Sequence, residues 1–356
     1  MIFTLATSAS QKIRCGKIKL PGGFDVATPA LLVRTSRFLP NHLTPDNLDK
    51  CLPIGSSLME MNIDHLVENE FLKKASPLNL AKLSGIGNRP ICLAMRVSSA
   101  SDNFKDDVIN GDDFVTVHNA TGNCRFEMNS LADILPRFEP SIFFSPFDAH
   151  VLPISPKRIR KAVDRSLKYE QAALAVTARS GMSLISSVIG AGSEAEMHRQ
   201  IGLLDRNTAG VAFTDMHKLS NDCRRDRLAA AVGKLANRGL LRIYRGVVPP
   251  SEVRSLVEHV DVIDTSYVDD LVEQGQALQL DVEALTEQPA LDMWREEYFG
   301  DFQPLLKGCA CPACQRYTRS YVHHLLKSHE MLGSALLMMH NLHQYHQWLR
   351  GMAERE

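Results

Sequence analysis

Cys309-Ala310-Cys311-Pro312-Ala313-Cys314 puts three thiols within six residues, and after 25 intervening residues comes His340. Thiols this close in sequence can converge on one soft cation, and a fourth ligand from a distant helix closes a tetrahedron, as in structural zinc sites. Three metal-free thiols are the alternative, since free cysteine is often a small core residue. Gly308 and Pro312 argue against it, because they make this segment a turn rather than a core-facing helix or strand. The spacing therefore predicts a zinc staple. Six histidines compete for the fourth position, namely His323, His324, His329, His340, His343 and His346, all within what reads as one helix from Tyr321 to Arg350. The apolar positions Leu325, Leu332, Leu336, Met339 and Leu342 recur at helical spacing, and His340 lies one turn beyond Leu336, bordering that buried face. His340 is the preferred ligand. Gly333 in the same segment would let another backbone approach closely.

Upstream, short apolar runs recur at Pro29–Val33, Ser57–Met61, Ile91–Met95, Ile142–Phe147, Leu184–Ile189, Gly210–Phe213, Leu240–Tyr244 and Val260–Ile263. Each suits a parallel strand buried on both faces. Between them, Lys157–Ala178, Glu194–Leu204, Asn221–Asn237 and Ser251–His259 show helical spacing, with Ser155-Pro156 starting one helix and Gly239 stopping another. The class is α/β, and eight units in 356 residues favour a closed (β/α)8 barrel. An open doubly wound sheet is the alternative. Phe3 to Thr28, folded about Pro21-Gly22-Gly23, predicts an antiparallel sheet capping the barrel. The resulting organisation is a sheet over 1–28, a barrel over 29–300 with a hairpin insertion at 113–128, and a zinc-binding subdomain over 301–350. Gln274 to Pro289 reads as the most variable connection.

A net charge of -1 argues against a protein that grips nucleic acid alone. Two helices offer local basic faces, one with Lys157, Arg158, Arg160, Lys161, Arg165 and Lys168, the other with Arg224, Arg225 and Arg227; a solvated helix face is the competing reading of each. Eight cysteines, with five scattered outside the zinc turn, do not make a disulfide framework, and a reducing compartment such as the cytoplasm fits. No apolar run is long enough to span a bilayer. Barrels work at the C-terminal ends of their strands. There Asp148 follows the fourth run and Asp264 ends the eighth; each reads equally as a helix cap or turn acid.

Taken together, Asp301-Phe302-Gln303-Pro304-Leu305, the cysteine turn, Tyr321-Val322-His323-His324-Leu325 and Leu337-Met338-Met339-His340-Asn341-Leu342 resemble the zinc segment of the tRNA-guanine transglycosylases. Weaker similarity continues back to about Gly16. The resemblance implies a barrel fold and one structural Zn2+ on Cys309, Cys311, Cys314 and His340. Val262-Ile263-Asp264-Thr265 is similar to the family's Met-Phe-Asp-Cys, whose aspartate is the nucleophile that displaces guanine from ribose. Phe147-Asp148-Ala149 is similar to Phe-Asp-Glu, whose aspartate recognises the base.

Departures from the family pattern are as informative. The general acid/base aspartate after the third strand is Ala94 here; Asp102, a few residues on, is the nearby carboxylate that could substitute. The glutamine after the fifth strand is Gly190, and a glycine-rich base-binding loop has become Gly210-Val211-Ala212-Phe213-Thr214-Asp215. Arginines that grip the anticodon loop are replaced by Ser266-Tyr267-Val268-Asp269-Asp270, and carboxylates there repel phosphate. No catalytic residue is therefore expected, Asp264 marking only the nucleophile position and Asp148 a remnant of the base pocket. The pattern resembles the family's non-catalytic accessory subunits. It implies a heterodimer with a catalytic subunit that exchanges guanine for queuine at wobble position 34 of tRNAs with GUN anticodons (Asp, Asn, His and Tyr), with no DNA partner. A homodimer is the alternative assembly, and peripheral association with the mitochondrial outer membrane is also implied by the resemblance. The alternative reading is an active transglycosylase using Asp264. His343, Tyr345, His346 and Trp348 are the expected contact surface, because aromatics are enriched in interface cores.

Overall fold

Strands buried on both faces must lie in a sheet covered on both sides, and the apolar runs do so by closing on themselves. The computed structural model describes residues 1–5, 12–64, 79–87, 89–95, 109–119, 122–149, 152–235, 238–284 and 286–355. Asp102 lies outside them.

The chain begins with β1 (Ile2–Leu5), β2 (Gly16–Leu20) and β3 (Phe24–Thr28), an antiparallel sheet in that order, its second turn made by Gly22 and Gly23 at positive φ. It continues through β4 (Ala30–Arg34), α1 (Pro45–Cys51), β5 (Ser57–Asn62), α2 (Leu80–Ser84) and β6 (Ile91–Ala94). A hairpin of β7 (Phe114–Asn119) and β8 (Gly122–Glu127) interrupts the alternation where the sequence places it. Then come α3 (Leu131–Phe138), β9 (Ile142–Phe144), α4 (Pro156–Ser180), β10 (Ser183–Ile189), α5 (Glu194–Leu203), β11 (Gly210–Thr214), α6 (Asn221–Leu235), β12 (Leu241–Tyr244), α7 (Pro250–Val257), β13 (Val262–Asp264) and α8 (Ser266–Glu273). The eight expected runs are the eight barrel strands, all parallel. Pairing of β13 with β4 and of β9 with β6 and β10 closes the circle and removes the open sheet as an alternative. Ser155 accepts from the Arg158 N–H to start α4, and Gly181 at φ 71° ends it.

Side chains alternate across a strand, so every second residue faces the lumen. Ala30, Leu32, Leu58, Cys92, Ala94, Ile142, Phe144, Ile185, Ala212, Leu241, Ile243 and Val262 form one buried cluster with Ile18, Leu20 and Val26 of the first sheet. That sheet is the floor of the barrel. The outward-facing residues belong to a second core shared with the surrounding helices.

After α8 the chain forms a hairpin, β14 (Gln276–Asp281) and β15 (Thr286–Asp292), where a variable connection was expected. Ala277, Leu278 and Leu280 are buried, and the hairpin packs on the long C-terminal helix. Three helices follow: α9 (Pro312–Arg316), α10 (Arg319–Lys327) and α11 (Met331–Glu354). The single helix expected over 321–350 is thus two, broken at His329, which has a φ of 55°. Leu325 and Leu332 are seven residues apart, two helical turns, so the apolar pattern stays in phase across the break and hides it. Gly333 acts as expected: a Cβ there would meet Leu326 Cδ2 at 3.1 Å and Leu325 Cβ at 3.2 Å, so α10 folds tightly back on α11. Among the described residues no helix is long and apolar enough to cross a membrane.

Candidate metal centre and barrel mouth

Pro312 at the first helical position starts α9, and the Cys311 side chain caps it by accepting from the Cys314 N–H at 3.4 Å. This turn aims three sulfurs at α11. His340 Nδ1 lies 3.8 Å from Cys309 Sγ, 3.5 Å from Cys311 Sγ and 3.3 Å from Cys314 Sγ. All four ligand atoms fall within 4.8 Å of one another. Zn–S bonds of about 2.3 Å and Zn–N of about 2.0 Å in a tetrahedron set S···N edges of about 3.5 Å. The four residues therefore fit a tetrahedral metal ion. His340 is fully buried, and its Nε2 lies 2.9 Å from the Leu278 carbonyl oxygen. Donating there from Nε2 leaves Nδ1 as the free lone pair, the usual way a ligating histidine is oriented. Next to it, Asn341 accepts from the Leu278 N–H at 2.8 Å and donates to the Gln276 carbonyl at 2.9 Å. Metal helix and β14 are thereby locked together.

The other histidines are elsewhere. His323 is buried with Nδ1 at 2.9 Å from the Met293 carbonyl, on α10 rather than α11. His346 is buried, and burial, aided by Arg350, pushes its pKa down to about 4. Tyr345 and Trp348 are buried as well, and the Tyr345 hydroxyl donates to the Val248 carbonyl at 2.7 Å. The expected contact surface around His343 to Trp348 is therefore largely core, because α11 is enclosed by α1, α7 and α8 as well as by β14.

Continuing the inward series by two residues brings Arg34 on β4, Glu60 on β5, Arg245 just past β12 and Asp264 on β13 to the rim of the lumen. Arg245 donates to Glu60 through Nε at 3.0 Å and Nη2 at 2.8 Å, and through Nη2 to the Met95 carbonyl at 3.1 Å. Its guanidinium also covers the Phe144 ring, 4.7 Å from the centroid. Both partners are fully buried, at 0% and 1% exposure, so an ion pair spans the barrel where a substrate would enter. Sequence reading missed Arg34, Glu60 and Arg245. The alternation 241, 243, 245 and 58, 60 is the signal that finds the last two.

Asp264 is buried beside this pair and accepts from the Gly246 N–H at 3.1 Å and the Ser266 N–H at 2.7 Å. It ties two rim loops together, as a turn acid does. Burial pushes its pKa up to about 6, with Arg34 and Arg245 opposing and Glu60 adding to the rise. On α8, Asp269 accepts from Asn41 at 3.1 Å, and burial drives it up to about 7 despite Arg34. A carboxyl that holds its proton more firmly when folded stabilises the fold below its unfolded pKa of about 4 and loses that contribution as pH rises through its folded pKa. For Asp264 the loss over about pH 4 to 6 is on the order of 2–3 kcal/mol. Asp264→Asn escapes it while forfeiting one acceptor at every pH. The stability of the Asn variant relative to the parent should therefore rise by roughly 2 kcal/mol between pH 4 and pH 7.5 in urea unfolding. A pH-independent difference would refute the shift.

The family model described as "Queuine tRNA-ribosyltransferase" matches residues 9–355. The chain belongs to this family. Queuine tRNA-ribosyltransferase accessory subunit 2 of Anopheles gambiae is 28% identical over 382 residues, covering 99% of this chain and 86% of the relative. The protein of that name from Drosophila virilis is 25% identical over 364 residues (97% and 86%), and that from Gallus gallus 23% over 372 residues (91% and 86%).

Within the transglycosylase pattern, the remaining pocket positions are occupied for other purposes. Asp148 is fully buried and accepts from Arg158 at 2.7 and 2.9 Å, Arg165 at 3.2 Å and Asn110 at 2.8 Å. Burial alone would raise its pKa, but Arg158 and Asn110 hold it below the ordinary carboxylate range. A carboxylate so engaged fastens α4 to the segment that follows β9. Ala94 is buried and faces the lumen with no group to carry a proton. A Cβ on Gly190 would stand 2.2 Å from Met216 Cγ, so Met216 fills the space a glutamine side chain would need. Gly210–Thr214 is regular strand, followed by Asp215 at φ 64°.

The expected basic faces are also largely spent. Arg158 and Arg165 turn in to Asp148, and Arg165 and Lys168 bind Asp112. Arg224 pairs with Glu252, Arg225 with Asp222 and Asp226, and Arg227 donates to the Gly190 carbonyl at 3.0 Å. Lys157, Arg160 and Lys161 remain exposed on α4.

Proposed function

We propose that this chain is the non-catalytic accessory subunit of a heterodimeric queuine tRNA-ribosyltransferase, whose catalytic subunit exchanges guanine for queuine at position 34 of tRNAs with GUN anticodons. The observation that carries this reading is the buried Arg245–Glu60 pair across the barrel mouth, with alanine at position 94 beside it. A base cannot stack where a guanidinium already covers Phe144, and no described group at position 94 can move its proton. The names of the insect and chicken relatives support the same role.

The ion we assign to Cys309, Cys311, Cys314 and His340 is Zn2+, with a structural role. Four protein ligands leave no open position for chemistry. For the partner subunit we assign the zinc segment and the residues leading into it, where Phe299 (77% exposed), Phe302 (77%) and Met331 (86%) present large apolar side chains to solvent. Eight cysteines free of disulfides suit the cytoplasm, with peripheral contact to the mitochondrial outer membrane left to the partner pair. Adding this chain to a catalytic family member should raise the rate of labelled guanine exchange on tRNA and yield a one-to-one complex by light scattering. An unchanged rate and no complex would reject the assignment.

A further inference from the structure

The metal centre has one neighbour that packing does not explain. Gln344 lies one turn after His340 on the same face of α11, is 4% exposed, and donates through Nε2 to Cys309 Sγ at 3.1 Å. Its other amide atom, Oε1, is buried with no hydrogen-bond partner among the described residues. A buried unsatisfied carbonyl costs about 1–3 kcal/mol, and a methionine of similar shape would fill the space without it. The amide is costly as filler but suited to a thiolate.

The donors around the sulfurs say why. Cys311 Sγ receives the Cys314 N–H at 3.4 Å and Cys314 Sγ the Leu306 N–H at 3.4 Å, while Cys309 Sγ receives the Cys311 N–H at 3.5 Å in addition to Gln344. Three thiolates and a neutral imidazole around a divalent cation leave one net negative charge, which N–H···S bonds disperse. Backbone geometry supplies one donor to each sulfur. Gln344 supplies the extra one.

Resting on the zinc reading above, we infer that Gln344 is a positioning residue for the metal, its amide N–H holding Cys309 Sγ in place and drawing off part of the negative charge of that ligand. Its test compares the full-length parent with Gln344→Met, which keeps the bulk and removes the donor, and Gln344→Glu, which places a carboxylate against the sulfur. Zinc affinity is read by competition with a chromophoric chelator, and thiolate donation by the sulfur-to-metal charge-transfer band after cobalt(II) substitution. Gln344→Met should weaken zinc binding roughly ten- to a hundredfold. The cobalt band should move to lower energy. Gln344→Glu should bind zinc more weakly still. Should the parent take up one zinc while Gln344→Met matches it in affinity and spectrum, the role of Gln344 is overturned and the zinc assignment stands. Should the parent take up none, both fail together.

Discussion

Cys311→Ser is expected to abolish stoichiometric zinc binding and to lower the melting temperature by roughly 10 °C or more. Cys311 is the fully buried member of the thiol set, and its sulfur both faces His340 Nδ1 and caps α9. Serine is a poor ligand for a soft site. Its loss frees the turn from Leu306 to Cys314, and with it the orientation of His340, which spans the sulfurs and the Leu278 carbonyl. Binding of structural zinc is worth on the order of 10 kcal/mol in small metal-folded domains. Here much of the segment is also held by the core of α10 and α11, so about half of that is at stake, or about 5 kcal/mol. At roughly 2 °C per kcal/mol for a chain of this size or somewhat smaller, the shift follows. Metal analysis and thermal unfolding measure both quantities, and a chelator acting on the parent should reproduce the shift. A serine variant with parental zinc content and melting temperature would refute the staple.

Arg245→Met is the second large effect, with an expected loss of about 3–5 kcal/mol. It leaves the Glu60 carboxylate at 1% exposure without its cation and uncovers the Met95 carbonyl. Removing both charges behaves differently: in Arg245→Met with Glu60→Leu no buried charge is left unpaired, and stability should return to within about 1–2 kcal/mol of the parent. The cycle therefore predicts a coupling of at least about 2 kcal/mol by urea unfolding. Additive single effects would mean that the two side chains are not paired in solution.

Much of this was legible in the sequence, for identifiable reasons. Barrel strands buried on both faces read as continuous apolar runs, so all eight stood out, and the thiol spacing identified the turn. His340 was separable from five other histidines because it borders the buried stripe of α11. What was missed depends on contacts distant in sequence. Arg245 and Glu60 lie 185 positions apart, and nothing local to either declares the other. Arg158 and Arg165 look like a solvated basic face until Asp148 is brought beneath them by β9. His343 to Trp348 looked like an interface because an aromatic cluster near a chain end has the same composition whether it meets a partner or, as here, its own barrel helices. Gln344 carried no signal of its own beyond its spacing of four from His340.

The proposed role, a barrel with an ion pair across its mouth that acts beside a catalytic partner, is tested most directly by guanine exchange. The purified chain alone, incubated with radiolabelled guanine and a tRNA bearing a GUN anticodon, should incorporate no label above background, and Asp264→Ala should leave that background unchanged. Incorporation by the lone chain at ordinary enzymatic turnover, abolished by Asp264→Ala, would contradict the account and make Asp264 the nucleophile of an active transglycosylase.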